Sequence, residues 1–157
     1  NSTVCYSTID KSTINNSTIL NTTIRNDNIT NQTRNGTVAP TAAGTAPYDP
    51  ANGATGVATG KIISITFSES MNPSTFTTNT NNESCSGTFQ VSTDTNFGTN
   101  TCVQMDASPS ASNGNKTFTV EPGKLNANTR YYVRITIQVE DTHGNNLSAQ
   151  IDFYFDT

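Results

Sequence analysis

One aliphatic residue returns at every fifth position near the start of the chain, and this rhythm limits what the segment can fold into. The ladder consists of Val4, Ile9, Ile14, Ile19, Ile24 and Ile29. On an α-helix five residues turn the side chain by about 140°, so the ladder would cover no single face. In a flat strand an odd period sends alternate ladder residues to opposite faces. The rhythm therefore predicts a chain that bends once per repeat, a β-helical or solenoid stalk with the aliphatic side chains inward.

The repeat occupies residues 1–33 and stops where Arg34 takes the next ladder position. Units such as Ser7-Thr8-Ile9 and Ser12-Thr13-Ile14 carry a small residue, a polar residue and a central aliphatic residue. This pattern resembles the pentapeptide-repeat family, in which four units make one turn of a square β-helix. Six units would then give about one and a half turns, too few to stand alone. We expect more repeats before Asn1 or association of identical chains, most simply as a homotrimer.

Composition narrows the class of protein further. Only 32% of the residues are hydrophobic and 13% are charged, and the net charge is −4, so the chain has no basic surface for nucleic acid or an anionic membrane. No apolar run approaches the roughly 18 residues of a membrane span. Asn1 enters directly into the repeat, and we expect the sequence to be part of a longer protein.

The remainder of the chain changes to a period of two. Residues 34–46 are rich in small residues, Gly and Pro, which predicts a linker. Residues 47–157 alternate apolar and polar side chains between turn signals, which predicts an all-β, antiparallel β-sandwich. After an edge segment at 47–50, the predicted strands are 61–67, 88–91, 102–105, 116–120, 131–140 and 151–156.

Specific motifs follow one another along this second part. They are Pro-Ala-Asn-Gly-Ala-Thr-Gly-Val at 50–57, Ile-Thr-Phe-Ser-Glu-Ser-Met-Asn-Pro at 65–73, Leu125 before Tyr131, Asp-Thr-His-Gly-Asn at 141–145 and Phe-Asp-Thr at 155–157. Together they resemble the bacterial Ig-like domain that occurs in arrays on S-layer and other surface proteins. The resemblance implies an Ig-like sandwich with a structural or adhesive role and no shared catalytic residues.

Three cysteines are present, Cys5, Cys85 and Cys102. The spacing of Cys85 and Cys102 suits a disulfide, which would stabilise the fold by about 3 kcal/mol, although two buried thiols are the alternative. A disulfide would place the chain in an oxidising, extracytoplasmic compartment. Cys5 would be a free thiol or meet a neighbouring chain.

Residues able to perform chemistry are sparse. His143 is the only histidine, and neither Ser68 nor Ser70 lies in a nucleophile elbow, so the sequence predicts no catalytic site. Cys and His at zinc-ligand spacing are absent, and no cofactor is expected. Asp141 and Asn145 could share a calcium ion, but a hairpin turn with positive φ at Gly144 and Asn145 is the favoured interpretation.

Three tyrosines, Tyr48, Tyr132 and Tyr154, are candidates for stacking on a sugar or anchoring a protein, with ordinary outward-facing strand residues as the alternative. The sequence thus predicts a non-enzymatic fragment of a bacterial cell-surface fibre or adhesin, in which a stalk carries an Ig-like tip that binds a glycan or protein. The alternative function is a passive structural spacer in a larger surface protein. The sequence does not identify the ligand.

Overall fold

The chain forms two compact units, Asn1–Val38 and Ala39–Thr157. The computed structural model describes residues 39–80 and 84–157 completely, and in the first unit it describes the backbone of seven short strands. The predicted inward stripe of six aliphatic side chains and the partner of Cys5 lie outside the described residues and stay predictions.

The strands of the first unit follow the five-residue rhythm. They are β1 Thr3–Cys5, β2 Thr8–Asp10, β3 Thr13–Asn15, β4 Thr18–Leu20, β5 Thr23–Arg25, β6 Asn28–Thr30 and β7 Arg34–Asn35. The first four strands each pair in parallel with the third strand after them, in the orders β1-β4-β7, β2-β5 and β3-β6. Val4 lies opposite Ile19 and Ile9 opposite Ile24, so paired ladder residues are separated by three repeat units. The resemblance to pentapeptide repeats had implied four.

The second unit contains seven strands in its described residues, arranged in two antiparallel sheets. The strands are β8 Tyr48–Asp49, β9 Ile63–Thr66, β10 Phe89–Ser92, β11 Ser110–Ser112, β12 Thr117–Val120, β13 Arg130–Ile135 and β14 Ile151–Asp156, with a 3₁₀ turn at Pro73–Thr75. One sheet has the order β11-β12-β9-β8 and the other β10-β13-β14. The predicted all-β, antiparallel architecture is confirmed.

The hydrophobic core follows from the alternation in the strands. In β9 the side chains of Ile63 and Ile65 are fully buried, and Ser64 between them is half-buried. Strands β12, β13 and β14 alternate in the same way, because successive residues of a strand face opposite sides. Both sheets contribute aromatic and aliphatic residues to one continuous core. The described residues include no helix that is long and apolar enough to cross a membrane.

A buried tyrosine explains the spacing of Leu125 and Tyr131. Tyr131 is 1% exposed, and its hydroxyl oxygen accepts a hydrogen bond of 2.7 Å from the backbone N–H of Asn126. A tyrosine near the start of a strand that bonds to the backbone a few residues upstream is a tyrosine corner, a device of β-sandwich folds. It fixes the chain as it enters β13.

Two predicted strands are shorter or absent. Strand β13 ends at Ile135, and Ile137 is 54% exposed rather than continuing the alternation. The reason is a turn in which the N–H of Val139 approaches the carbonyl of Thr136 at 3.5 Å. The predicted strand at 102–105 is reduced to isolated bridges at Cys102 and Met105.

The segment before Pro47 packs on the sandwich. The N–H of Ala43 donates to the carbonyl of Thr66 at 2.8 Å, and the N–H of Ser68 donates to the carbonyl of Thr41 at 2.9 Å. The boundary between the units therefore falls after Val38, within the stretch predicted as a linker. The small residues and prolines of this segment show no alternation of apolar and polar side chains, because the segment pairs with the sandwich through only a few backbone groups.

Candidate functional site

The hairpin at 141–145 is organised around a buried carboxylate. Asp141 is 1% exposed, and one of its oxygens accepts hydrogen bonds from the backbone N–H groups of His143 at 2.7 Å and Asn145 at 2.9 Å. The side-chain amide of Asn145 donates to the other oxygen at 2.8 Å. The predicted positive φ is confirmed at Gly144, at 82°, whereas Asn145 is not among the described residues with positive φ. Both carboxylate oxygens are therefore engaged by the turn itself, as the favoured interpretation requires.

Two further ionisable groups approach this hairpin. Glu69 and His143 each place one possible ligand atom within 4.8 Å of the Asp141 carboxylate. Burial, and then the neighbouring Asp141, raise the pKa of Glu69. Burial acts to raise the pKa of Asp141 as well, but the hydrogen bonds from Asn145 and His143 outweigh it and leave that pKa lowered. The cluster holds a buried, ionised carboxylate whose hydrogen bonds shape a turn.

The serines considered as nucleophiles have structural partners. The hydroxyl of Ser70 donates to the carbonyl of Gly114 at 2.9 Å, and that of Ser68 accepts from the N–H of Thr41 at 3.2 Å. The His143 imidazole lies 3.9 Å from the Asp141 carboxylate and forms no hydrogen bond to either serine among the described residues. This arrangement lacks the nucleophile–base contact that a catalytic triad needs.

The predicted disulfide between Cys85 and Cys102 is present. Their Cα atoms are 5.3 Å apart, within the usual range for a disulfide. Cys102 follows the loop at 93–101 and forms a bridge with Ser92 at the end of β10. The disulfide therefore holds one end of a loop that leads to the outer face of the sheet β10-β13-β14.

Of the three candidate tyrosines, Tyr48 is used in packing. Its ring stacks on Phe153 with centroids 4.3 Å apart and an interplanar angle of 13°. Burial raises the pKa of its hydroxyl. Its ring face therefore serves the sandwich rather than a ligand.

Tyr132 and Tyr154, in contrast, lie together on the outer face of the sheet β10-β13-β14. The antiparallel register places them directly opposite each other, and their ring centroids are 6.3 Å apart at an angle of 48°. The guanidinium of Arg130 lies 4.3 Å from the centroid of Tyr154 and forms a bidentate pair with Asp156 at 2.7 and 2.8 Å. The ion pair raises the pKa of Arg130 and lowers that of Asp156.

The same face carries a second ion pair on the other side of the tyrosines. Arg134 donates to both oxygens of Asp152, at 2.8 and 3.2 Å. Its guanidinium also lies 4.1 Å from the ring centroid of Phe97, which reaches over from the 93–101 loop. Phe97 has a φ of 52°, in a region that bulky residues rarely adopt. The loop thus holds an aromatic ring over the sheet at the cost of an unfavourable backbone conformation.

These side chains enclose a groove of about 330 Å³, which we call the aromatic groove. It is lined by Asn52, Thr95, Phe97, Tyr132, Arg134, Asp152, Phe153 and Tyr154. The sequence identified Tyr132 and Tyr154 but missed the others. Arg134 and Asp152 could have been found as outward positions of strands that become neighbours. Phe97 could not, because it lies in an irregular loop without periodic signal.

A larger concavity of about 520 Å³ lies between the tyrosine corner and the loop that precedes the disulfide. Its lining is mainly polar loop residues, including Thr93, Gln104, Asp106 and Lys124. Its aromatic member, Tyr131, is buried with its hydroxyl engaged. This concavity therefore offers little apolar surface, and the aromatic groove is the stronger candidate for a ligand.

Comparisons with known proteins agree with this architecture. The family described as "Bacterial Ig-like domain" matches residues 36–157. The N-terminal part of the bacterial S-layer protein SbsC matches with a TM-score of 0.50 and 17% identity, covering 75% of this chain and 23% of that chain. Domains 1–6 of the same surface layer protein match with a TM-score of 0.50 and 17% identity, covering 76% of this chain and 14% of that one. At this identity the likeness establishes the fold alone. No curated protein matches the chain.

Proposed function

The chain belongs to the family of bacterial Ig-like domains through residues 36–157, and on that premise we propose that it is a non-enzymatic module of a bacterial cell-surface fibre or adhesin. The similar fold in a surface layer protein supports this location. The disulfide between Cys85 and Cys102 supports an oxidising, extracytoplasmic setting. In this proposal the Ig-like unit is the tip and displays a surface that binds a glycan or a protein.

The aromatic groove is the observation that carries the binding role. Tyr132, Tyr154 and Phe97 place three aromatic side chains at one concave site on the outer face of a sheet. The loop holds Phe97 over this face at a positive φ, which is an unfavourable backbone conformation. A surface that only contacts solvent does not require an aromatic ring in such a position. Grooves that combine aromatic rings with a few polar groups are the usual sites of small-molecule binding.

A binding screen tests this role directly. The full chain would be applied to immobilised glycans and to bacterial and host surface proteins, with its folded state checked by circular dichroism. Retention on one class of ligand is the expected result. Uniformly negative binding by folded protein would contradict the display function.

The passive spacer remains a second candidate because of one specific observation. On the outer face two ion pairs, Arg130–Asp156 and Arg134–Asp152, join β13 to β14, and within each pair the two charges neutralise one another. Opposite-charge and aromatic pairs between neighbouring strands stabilise a sheet even without a ligand. Negative results in the screen would favour this function.

The non-enzymatic part of the proposal rests on the hairpin. The only histidine, His143, and the buried Asp141 are the closest approach to a catalytic pair among the described residues. Asp141 already accepts three hydrogen bonds from its own turn. A carboxylate so occupied is poorly placed to act as a base.

We also propose that residues 1–33 form a repetitive stalk through which chains associate as homotrimers. Among the seven described strands of the first unit, β4 has neighbours on both sides and the other six pair on one side. Unpaired strand edges invite further pairing. Six aliphatic residues also supply too little burial to offset the ordering of about thirty residues.

Substitution within the ladder tests the stalk. Ile19→Asp places a charge in the predicted apolar stripe, so association should fail while the Ig-like unit stays folded. Asn21→Asp, at a position predicted to face outward, should leave association unchanged. Light scattering measures the mass of both variants. A monomeric unaltered chain, or equal effects of the two substitutions, would refute the trimer.

A further inference from the structure

The aromatic groove has the chemistry of a sugar subsite, and we propose that it binds one pyranose ring of a neutral glycan. This inference rests on the proposed display function and specifies its ligand class. Its cavity volume of about 330 Å³ lies near the lower end of the roughly 300–1,000 Å³ found for small-molecule sites. A single ring-sized group matches that volume better than a protein surface does.

The lining combines two kinds of contact that a pyranose ring needs. One face of such a ring is made of C–H groups, which pack on aromatic surfaces, and its edge carries hydroxyl groups that require hydrogen-bond partners. Tyr132, Tyr154 and Phe97 provide the aromatic surface. The side-chain amide of Asn52 and the hydroxyl of Thr95 lie in the same groove and can meet the hydroxyl edge.

Several polar atoms remain available for those hydroxyls. The Oδ1 of Asn52 accepts a hydrogen bond from the backbone N–H of Tyr154 at 3.2 Å, which directs the opposite, donating end of the amide away from that contact. Within the described part of the chain, neither the Nδ2 of Asn52 nor the hydroxyl groups of Thr95 and Tyr154 form a hydrogen bond. The groove therefore contains donors and acceptors that its own fold does not consume.

The charges of the groove select an uncharged ligand. Arg134 is held in a bidentate pair by Asp152, so the two charged residues of the lining neutralise each other. Arg130, beside the groove, is neutralised in the same way by Asp156. An acidic sugar or a phosphate would have to break one of these pairs to find a cation, and a cationic ligand would have to release a carboxylate.

The edges of the sheet exclude one mode of peptide binding, in which a peptide adds a strand to an open edge. The segment after Pro50 covers the β14 edge, with the N–H of Gly53 donating to the carbonyl of Tyr154 at 2.7 Å. The β10 edge is covered where the N–H of Val103 donates to the carbonyl of Val91 at 2.8 Å. A ligand of this sheet must approach its outer face, where the groove lies.

Binding of neutral oligosaccharides to the full chain and its variants tests the assignment. The probes are an array of neutral and acidic oligosaccharides, followed by titration of the best neutral one by calorimetry. We expect Phe97→Ala and Tyr154→Ala to weaken binding by about tenfold or more, because each removes an aromatic contact. Ile137→Ala is the matched control, since Ile137 is 54% exposed on the same unit but outside the groove, and it should bind as the unaltered chain does.

Each result has a distinct meaning. Tyr154→Phe keeps the ring and its contacts with neighbouring side chains and removes only the hydroxyl. A folded Tyr154→Phe chain that binds more tightly than Tyr154→Ala therefore separates stacking from any folding defect of Tyr154→Ala. Unchanged glycan affinity in Phe97→Ala and Tyr154→Ala, a preference for acidic sugars, or binding to proteins alone would overturn the sugar subsite and leave the display function standing. A folded chain that binds neither glycans nor proteins would overturn both.

Discussion

Replacing the buried Asp141 by Ala should destabilise the Ig-like unit more than the loss of an exposed carboxylate such as Asp49 does. The substitution leaves three donors without their acceptor, the backbone N–H groups of His143 and Asn145 and the amide of Asn145. Hydrogen bonds to charged groups contribute about 1.5–3 kcal/mol each. His143 is exposed and Asn145 is half-buried, so water replaces part of the loss. We therefore expect a decrease of about 3 kcal/mol in the free energy of unfolding.

Asp49→Ala is the matched control for this substitution. Asp49 pairs with Lys61 at 2.7 Å, but 64% of its side chain is exposed, and exposed ion pairs contribute about 0–1 kcal/mol. Urea unfolding of both variants, followed by near-ultraviolet circular dichroism, measures the difference. The signal reports the Ig-like unit, because Tyr6 is the only aromatic residue before residue 39.

The pH dependence gives a second check on the same carboxylate. The pKa of Asp141 is lowered on folding, so its contribution to stability is present above its ordinary value of 3.8 and is lost as the pH falls through the folded value. The gap between the unaltered chain and Asp141→Ala should thus be widest near neutral pH and shrink below about pH 4. A loss no larger than that of Asp49→Ala, or a gap that stays constant down to acid pH, would refute the role assigned to Asp141.

Three further perturbations test other parts of the unit. Tyr131→Phe removes the acceptor of the part-buried hydrogen bond from the N–H of Asn126 and should cost about 0.5–1.5 kcal/mol in urea unfolding. A loss near zero would exclude the corner as a stabilising contact. Reduction of the Cys85–Cys102 disulfide should lower the melting temperature of the Ig-like unit. The far-ultraviolet circular dichroism spectrum of the folded chain should stay unchanged, since the strands lie mostly outside the loop that the disulfide closes. Loss of the β-sheet signal on reduction would contradict this. Glu69→Gln should increase stability at pH 7 by roughly a few tenths of a kcal/mol and have no effect below about pH 4, because burial, and then the neighbouring Asp141, raise the pKa of Glu69 and penalise its ionised form in the folded state. Destabilisation at pH 7 would refute this penalty.

Alternation along a strand made part of the candidate site predictable. Tyr132 and Tyr154 stand at outward positions of runs whose intervening residues are apolar, and the structure places both on the outer face. The pattern could not establish that they are direct neighbours, because it specifies the face of a residue and not the register between strands. Tyr48 had the same local appearance, yet its ring is stacked on Phe153.

What the sequence determined by itself was local or repetitive. Period-two runs specified the buried faces of β9, β12 and β14, and the spacing of Cys85 and Cys102 anticipated the disulfide. The tertiary structure alone decided the long-range arrangement, including the antiparallel register that pairs Arg134 with Asp152 and the loop that brings Phe97 over Arg134. The periodicity of apolar side chains shows which face of a strand is buried, and residues adjacent in sequence are enough to define that face. A groove depends on the positions of segments far apart in sequence, and packing of the whole unit sets those positions.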